Sequence, residues 1–254
     1  MDATIPKDGS PPRTDEATQA PLAERIAALP WPTLSEALDA HGNALVPGLL
    51  SGEECAALTA RYDEQAAFRS RVVMSRYGFG SGEYKYYAYP LPAVVQDLRA
   101  AFYPRLVATA NRWNEILDNP VRYPASHADF LARCHEAGQQ RPTPLMLKYG
   151  SGDYNCLHQD LYGEHVFPLQ VAILLSQPGR DFSGGEFVLT EQRPRQQSRA
   201  EVVPLQQGDA VVFAVSHRPV SGARGSHRVT LRHGVSRVRS GRRFTLGLIF
   251  HDAT

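Results

Sequence analysis

From Thr143 to the C-terminus the chain is a succession of short β-rich runs broken by Gly, Pro or Ser. No other feature constrains the fold as strongly. The runs PLMLKYG, PLQVAILLS, GGEFVLTE, AEVVPL, DAVVFAV, HRVTLRHGVSRV and RRFTLGLIF follow one another too closely for helices between them, and they predict a β-sandwich or barrel. The chain before them is helical. PLAERIAALP and TLSEALDAHG space their apolar residues as helices do, the second closing at Gly42. ALVPGLLSGEECAALTARYDEQ reads as a short strand, a turn and a helix whose start, Ser51 with Glu54 three residues on, is a capping box. RVVMSRYGFGSGEYKYYAYP predicts a hairpin with a mobile tip at Gly78, Gly80 and Gly82; without a strand-to-helix context these glycines do not mark a phosphate loop. A long helix is predicted from Pro92 to Leu117, interrupted near Pro104, and another from Ser126 to Gly138. Trp31 and Trp113, in helical surroundings, read as core.

These elements suggest one α+β domain in three stretches: a disordered tail over 1–20, a helical and hairpin support region over 21–142, and the β core over 143–254. The tail, MDATIPKDGSPPRTDEATQA, carries acids and prolines and has no apolar stretch of a secretory signal. No apolar run is long enough for a membrane span. Cys55, Cys134 and Cys156 are odd in number and far apart, which fits free thiols in a reducing cytoplasm. Cys156, two residues before His158, reads as a small buried thiol or as a group near a metal. Net charge is only +1, yet eleven arginines lie between Arg193 and Arg243 against Glu201 and Asp209. Such a segment is either a solvated face or a surface for a polyanion such as nucleic acid.

Within YGSGDYNCLHQDLYGEHVF, His158 and Asp160 are separated by one residue. On a strand, residues i and i+2 share a face, so both side chains can reach one metal ion; two histidines and a carboxylate suit Fe(II) and leave positions open for substrate and oxygen. The pair alone is as compatible with a solvated surface. His165, His217, His227, His233 and His251 are each available as a third ligand.

The order of later motifs decides more. Tyr149, His158-Gln159-Asp160, GGEFVL, PLQQGDAVVF, HGV at His233 and Gly241-Arg242-Arg243 stand in the sequence order of the Fe(II)/2-oxoglutarate-dependent dioxygenases, which this chain resembles over residues 45 to 251. Its opening segment LVPGLLSGEECAAL is similar to that of prolyl-hydroxylase-like members. The stretch from RPTPLMLKYG to TEQRP resembles a bacterial oxygenase family proposed to act in oxidative demethylation of damaged DNA, and KYGSGDYNCLHQD and RHGV are similar to parts of the AlkB-type demethylases. The AlkB-type closing motif Arg-x-Asn-x-Thr-x-x-Arg is missing; Arg243-Phe244-Thr245 stands in its place.

The resemblance implies a double-stranded β-helix (jelly-roll) core with N-terminal and flanking helices. It implies His158, Asp160 and His233 as iron ligands, with 2-oxoglutarate and O2 as cosubstrates. Arg243 would pair with the distal carboxylate of 2-oxoglutarate, with Thr245 and Tyr149 as hydroxyl donors, and turnover would release succinate and CO2. Arg242 is the alternative anchor, although adjacent strand residues face opposite sides and only one can enter the pocket. Tyr149 reads equally as a core aromatic, Glu186 as part of a structural turn, and Tyr77, Phe79, Tyr84, Tyr86, Tyr87 and Tyr89 as hairpin packing rather than a base-stacking surface. The partners implied are the small-molecule cosubstrate and nucleic acid, the latter through the 193–243 segment. Small-molecule or prolyl hydroxylation, a non-redox cupin-like metal module and an inactive DNA-binding protein are the competing readings.

Overall fold

The computed structural model describes residues 20–193, 195–222 and 225–254; the tail assigned to 1–20 lies, but for its last residue, outside them. Five helices precede most of the sheet: α1 (Leu22–Ala27), α2 (Trp31–His41), α3 (Gly52–Ala60), α4 (Ala93–Ile116) and α5 (His127–Glu136). Their ends follow the sequence signals. Gly42 closes α2 at φ 75°, a left-handed conformation that costs glycine little. Ser51 and Glu54 form the reciprocal capping box of α3, and Ser126 caps α5 by accepting from the Asp129 N–H. Pro104, expected to interrupt α4, does not. Phe102, Tyr103, Leu106 and Val107 around it are buried against the sheet, and that packing outweighs the hydrogen bond a proline removes. Among the described residues, no helix is long and apolar enough to cross a membrane.

The strands are β1 (Asn43–Val46), β2 (Phe68–Val73), β3 (Gly80–Ser81), β4 (Glu83–Tyr87), β5 (Leu145–Tyr149), β6 (Tyr154–His158), β7 (Leu169–Leu174) and β8 (Phe182–Gly184), then β9 (Phe187–Gln192), β10 (Arg199–Val203), β11 (Ala210–Ala214), β12 (His217–Gly222), β13 (Gly225–Val235), β14 (Val238–Gly241) and β15 (Arg243–Leu248). A major sheet has the order β1-β11-β7-β15-β5-β4-β2, and a minor sheet has the order β10-β9-β13-β6-β3 with β12 on β13. From β5 onward the chain alternates between the two: β5 major, β6 minor, β7 major, β9 minor, β11 major, β13 minor, β15 major. That alternation winds the chain into a double-stranded β-helix, the fold expected from the motifs.

Two apolar layers follow from strand parity. Val171, Ile173, Leu246 and Leu248 pack outward under Ile26, Leu38, Phe102 and Leu106 of the helices. Leu174, Leu189, Phe187, Phe213 and Val235 pack inward between the sheets. The hairpin β2–β4 widens the major sheet beside β5, so residues before Thr143 wall one side of the space between the sheets. Its tip is tied down: the Tyr77 and Phe79 N–H groups donate to the Met74 carbonyl, and the Cys156 N–H donates to the Phe79 carbonyl.

Candidate metal centre

His158 ends β6 and pairs directly with His233 of β13, so the antiparallel register sets two imidazoles side by side with ring centroids 4.2 Å apart. Asp160, two residues on, keeps the parity of His158. Its Oδ1 lies 3.4 Å from His158 Nε2 and its Oδ2 lies 3.4 Å from His233 Nε2. One ligand atom from each residue falls within 4.8 Å of the others, the only such grouping found among the described residues. His165, His217, His227 and His251 lie outside it.

The electrostatics suit a divalent cation. Burial by itself would raise the Asp160 carboxyl, but the hydrogen bonds and charges of His158 and His233 outweigh it and hold the group well below the usual carboxylate range. Burial likewise opposes protonation of His158, and there the Asp160 carboxylate wins and raises it. For His233 burial wins, which favours the neutral imidazole a metal binds. His158 Nδ1 is fixed 2.7 Å from the Cys156 carbonyl, leaving Nε2 for the metal side. The His233 ring packs on Phe213, centroids 4.6 Å apart.

A cavity of about 410 Å³ opens from this triad to the inner face of the major sheet. Arg243 and Tyr149 share one rung there, Thr245, Leu147 and Tyr84 the next, and Gly247, Leu145 and Tyr86 the third. Arg243 is 1% exposed, and its Nη1 donates to Thr245 Oγ1 at 2.6 Å. Its Nε has no acceptor, and no carboxylate among the described residues forms an ion pair with it. Burial pushes its pKa down to about 10, still charged at neutral pH. The buried Tyr149 hydroxyl also lacks a partner. A buried cation without a counter-ion is costly, and a dicarboxylate reaching from the metal into this end of the cavity would supply one. Arg242 points the other way and is exposed. The triad and the orphaned guanidinium therefore fit a metal ion and an anionic cosubstrate.

Other residues depart from the sequence reading. Cys156 is exposed rather than buried: in the middle of β6 it shares the parity of His158 and lines the cavity. Glu186, by contrast, keeps to the structural-turn reading: it hydrogen-bonds Ser236 and stays exposed. The aromatic set divides: Tyr87 is packed, Tyr84 and Tyr86 line the cavity, and Tyr77 and Phe79 are 62% and 48% exposed. The arginines do not form one face. Arg243 lines the cavity, and Arg218 is buried against Glu191, which also holds Arg193 and Arg199. Arg228, Arg232, Arg237, Arg239 and Arg242 are exposed.

Two cavity residues carry no motif that would have marked them. Gln170 is buried with its Nε2 unpartnered. Tyr162 donates to Asp160 Oδ1 at 2.9 Å, and burial together with the Asp160 charge raises its phenol pKa and keeps it a donor.

Comparison with known proteins agrees. The chain is 54% identical over 164 residues to an uncharacterised protein of Mycobacterium tuberculosis, found in strains CDC 1551 and H37Rv, covering 65% of this chain and 70% of the relative. Its fold is similar to a prolyl hydroxylase from Trichoplax adhaerens solved with a hypoxia inducible factor peptide (TM-score 0.54, 13% identity, 90% of each chain). It is also similar to a Pseudomonas putida prolyl-4-hydroxylase (TM-score 0.51, 14% identity, 88% of this chain and 99% of that one). Residues 82–253, well over half the chain and including every cavity strand from β4 to β15, match the model of a family described as "Oxygenase, catalysing oxidative methylation of damaged DNA", and the chain belongs to that oxygenase family.

Proposed function

We propose that the protein is an Fe(II)- and 2-oxoglutarate-dependent dioxygenase that oxidises a methyl group on a damaged nucleobase. The observation that carries the reading is that His158, Asp160 and His233 share one cavity with a buried Arg243 that forms no ion pair. His158, Asp160 and His233 would hold the iron. Arg243 would bind the distal carboxylate of 2-oxoglutarate, with Thr245 and Tyr149 offering hydroxyls at the same end. Iron, 2-oxoglutarate and O2 together supply a two-electron oxidation of a C–H bond, with succinate and CO2 as products. Leu145, Leu147, Phe187 and Phe213 wall the cavity and keep water from the reacting carbon. An N-methyl group hydroxylated there breaks down to formaldehyde and the repaired base.

The nucleic-acid side rests on the family description and on the cavity mouth. The space takes a cosubstrate and one further small group, so a nucleic acid must present an extruded or unpaired base. Tyr77 and Phe79 stand exposed at the mouth with rings nearly parallel, 21° and 5.5 Å apart, a surface on which a neighbouring base can stack. Arg76 beside them is exposed, as are Arg195, Arg228, Arg232, Arg237, Arg239 and Arg242 of the later segment, whose Arg224 lies outside the described residues. All three cysteines are free, which supports a reducing, cytoplasmic setting.

The test is turnover with Fe(II) and 2-oxoglutarate on single-stranded oligonucleotides bearing 1-methyladenine, on unmethylated controls and on proline-containing peptides. Succinate and formaldehyde in step, and only with the methylated strand, are expected. Equal uncoupled succinate release on all three removes the nucleic-acid preference. Oxygen consumption independent of iron and 2-oxoglutarate removes the dioxygenase reading and leaves a non-redox module.

A further inference from the structure

Asp160 lies past the last residue of β6, so no strand ladder fixes its backbone; the loop from Gln159 to Val166 does. Gln159 ties the start of that loop to the Ser216 and Leu231 carbonyls, Tyr123 holds its end at the Val166 carbonyl, and between them one further side chain from outside the sheets anchors it. Gln139, just beyond α5 and 0% exposed, donates through Nε2 to the carbonyls of Tyr162 (3.3 Å), His165 (3.1 Å) and Asp252 (2.5 Å), and its Oε1 accepts from the His165 N–H at 2.7 Å. Gly163 turns at φ 86° directly against this amide, where a Cβ would collide with it. The loop held this way carries Tyr162, whose hydroxyl donates to Asp160 Oδ1. Tyr86 of β4 lines the same cavity as Tyr162, and the Arg69 guanidinium covers the Tyr86 ring at 4.5 Å.

We infer that Tyr162 is a positioning residue for the metal-binding carboxylate and that Gln139 sets its aim through the loop; this rests on the metal-centre reading above. A carboxylate at a loop start is free to rotate about its own Cβ–Cγ bond, and each rotation moves the oxygen meant for the metal. The Tyr162 hydroxyl holds Oδ1, the oxygen that also faces His158, and so sets the direction of Oδ2, which faces His233. Groups that orient a metal ligand in this way are worth about 10–100-fold in metal affinity. Gln139 holds the backbone of the loop that carries Tyr162, so the two contributions are coupled rather than independent.

The experiment is titration of the metal-free, full-length protein with Mn(II), followed by calorimetry, for the wild type, Tyr162→Phe, Tyr86→Phe, Gln139→Met, the Tyr162→Phe/Gln139→Met double variant and Asp160→Ala. Thermal midpoints of the metal-free proteins are recorded alongside. Tyr162→Phe keeps the ring and removes only the hydroxyl, and is expected to weaken Mn(II) binding about 10–100-fold with its metal-free midpoint close to wild type. Tyr86→Phe is expected to stay within a few-fold of wild type. Gln139→Met is expected to weaken binding, and the double variant to bind no more weakly than Tyr162→Phe alone. Wild-type affinity in Tyr162→Phe overturns the role of the hydroxyl, and fully additive losses overturn the route from Gln139 through Tyr162. Should the wild type not bind Mn(II), or should Asp160→Ala bind as well as wild type, the metal-centre reading itself is wrong and this inference falls with it.

Discussion

Arg243 is held in an apolar cavity with one neutral hydrogen-bond partner and no counter-ion, which is a poor arrangement for a folded protein and a good one for a binding site. Removing the charge should therefore separate binding from stability. Arg243→Met is expected to raise the dissociation constant for 2-oxoglutarate roughly 10–150-fold, the worth of a hydrogen bond to a charged group, about 1.5–3 kcal/mol. The same change should leave the thermal midpoint of the free protein unchanged or higher, because an unpaired buried cation disappears. Isothermal titration and a melting curve check the two halves; a midpoint lowered in step with affinity would mean that Arg243 is structural. At this scale the sequence carried the triad spacing and the Gly-x-Arg signal. It could not show Tyr162 or Gln139, because a tyrosine in a loop and a glutamine after a helix are ordinary until the fold places them at Asp160 and around the loop backbone.

Among the elements, α4, α5 and the C-terminal segment after β15 are bound together by one buried pair. Arg99 Nη2 meets Asp252 Oδ1 at 2.7 Å with both side chains fully buried, and Tyr89 and His135 share the other carboxylate oxygen at 2.8 and 2.9 Å. Removing one partner leaves the other charge stranded. Arg99→Leu is expected to cost about 3–5 kcal/mol in urea unfolding, well beyond an exposed ion pair such as Arg61–Glu64. A loss under about 1 kcal/mol would show that the site relaxes or hydrates. Element boundaries were mostly legible, since capping boxes and glycine stops act within a few residues: Ser51, Ser126 and Gly42 behave as read. The course of α4 through Pro104 was not legible, because the packing that sustains it comes from strands a hundred residues away.

Across the whole molecule, two histidines besides His233 are buried in the neutral form. Burial, aided by the Arg99 charge, lowers His127 to about 3 and His251 to about 4, each from 6.5. The unfolded chain then takes up protons below about pH 6.5 that the folded one refuses, so stability falls as pH drops through the window from 6.5 to between 4 and 3. At pH 5 each contributes a loss on the order of 2 kcal/mol relative to neutrality. Asp252, held low because Arg99, His135 and Tyr89 outweigh its burial, adds a further loss at more acidic pH, below the unfolded carboxylate range. Urea midpoints at pH 7 and pH 5 test this, and His127→Gln should flatten the difference; equal midpoints would show that these imidazoles are not sealed from water. A β-sandwich or barrel was readable in outline because strand parity and turn residues are local, and the jelly-roll winding came from the family resemblance. The inventory of exposed charge was not, since only the assembled sheets show Arg218 buried on Glu191.

The proposed metal ligands hang from β6 and β13 of one sheet and its extension, whereas Arg243 hangs from β15 of the other. A cosubstrate gripped at both ends is thus a rivet through the sandwich, and its grip depends on the span between the two plates. Metal or 2-oxoglutarate singly should stiffen one plate; together they should raise the melting temperature by more than the sum of the two, and a dicarboxylate one carbon shorter or longer should lose that surplus.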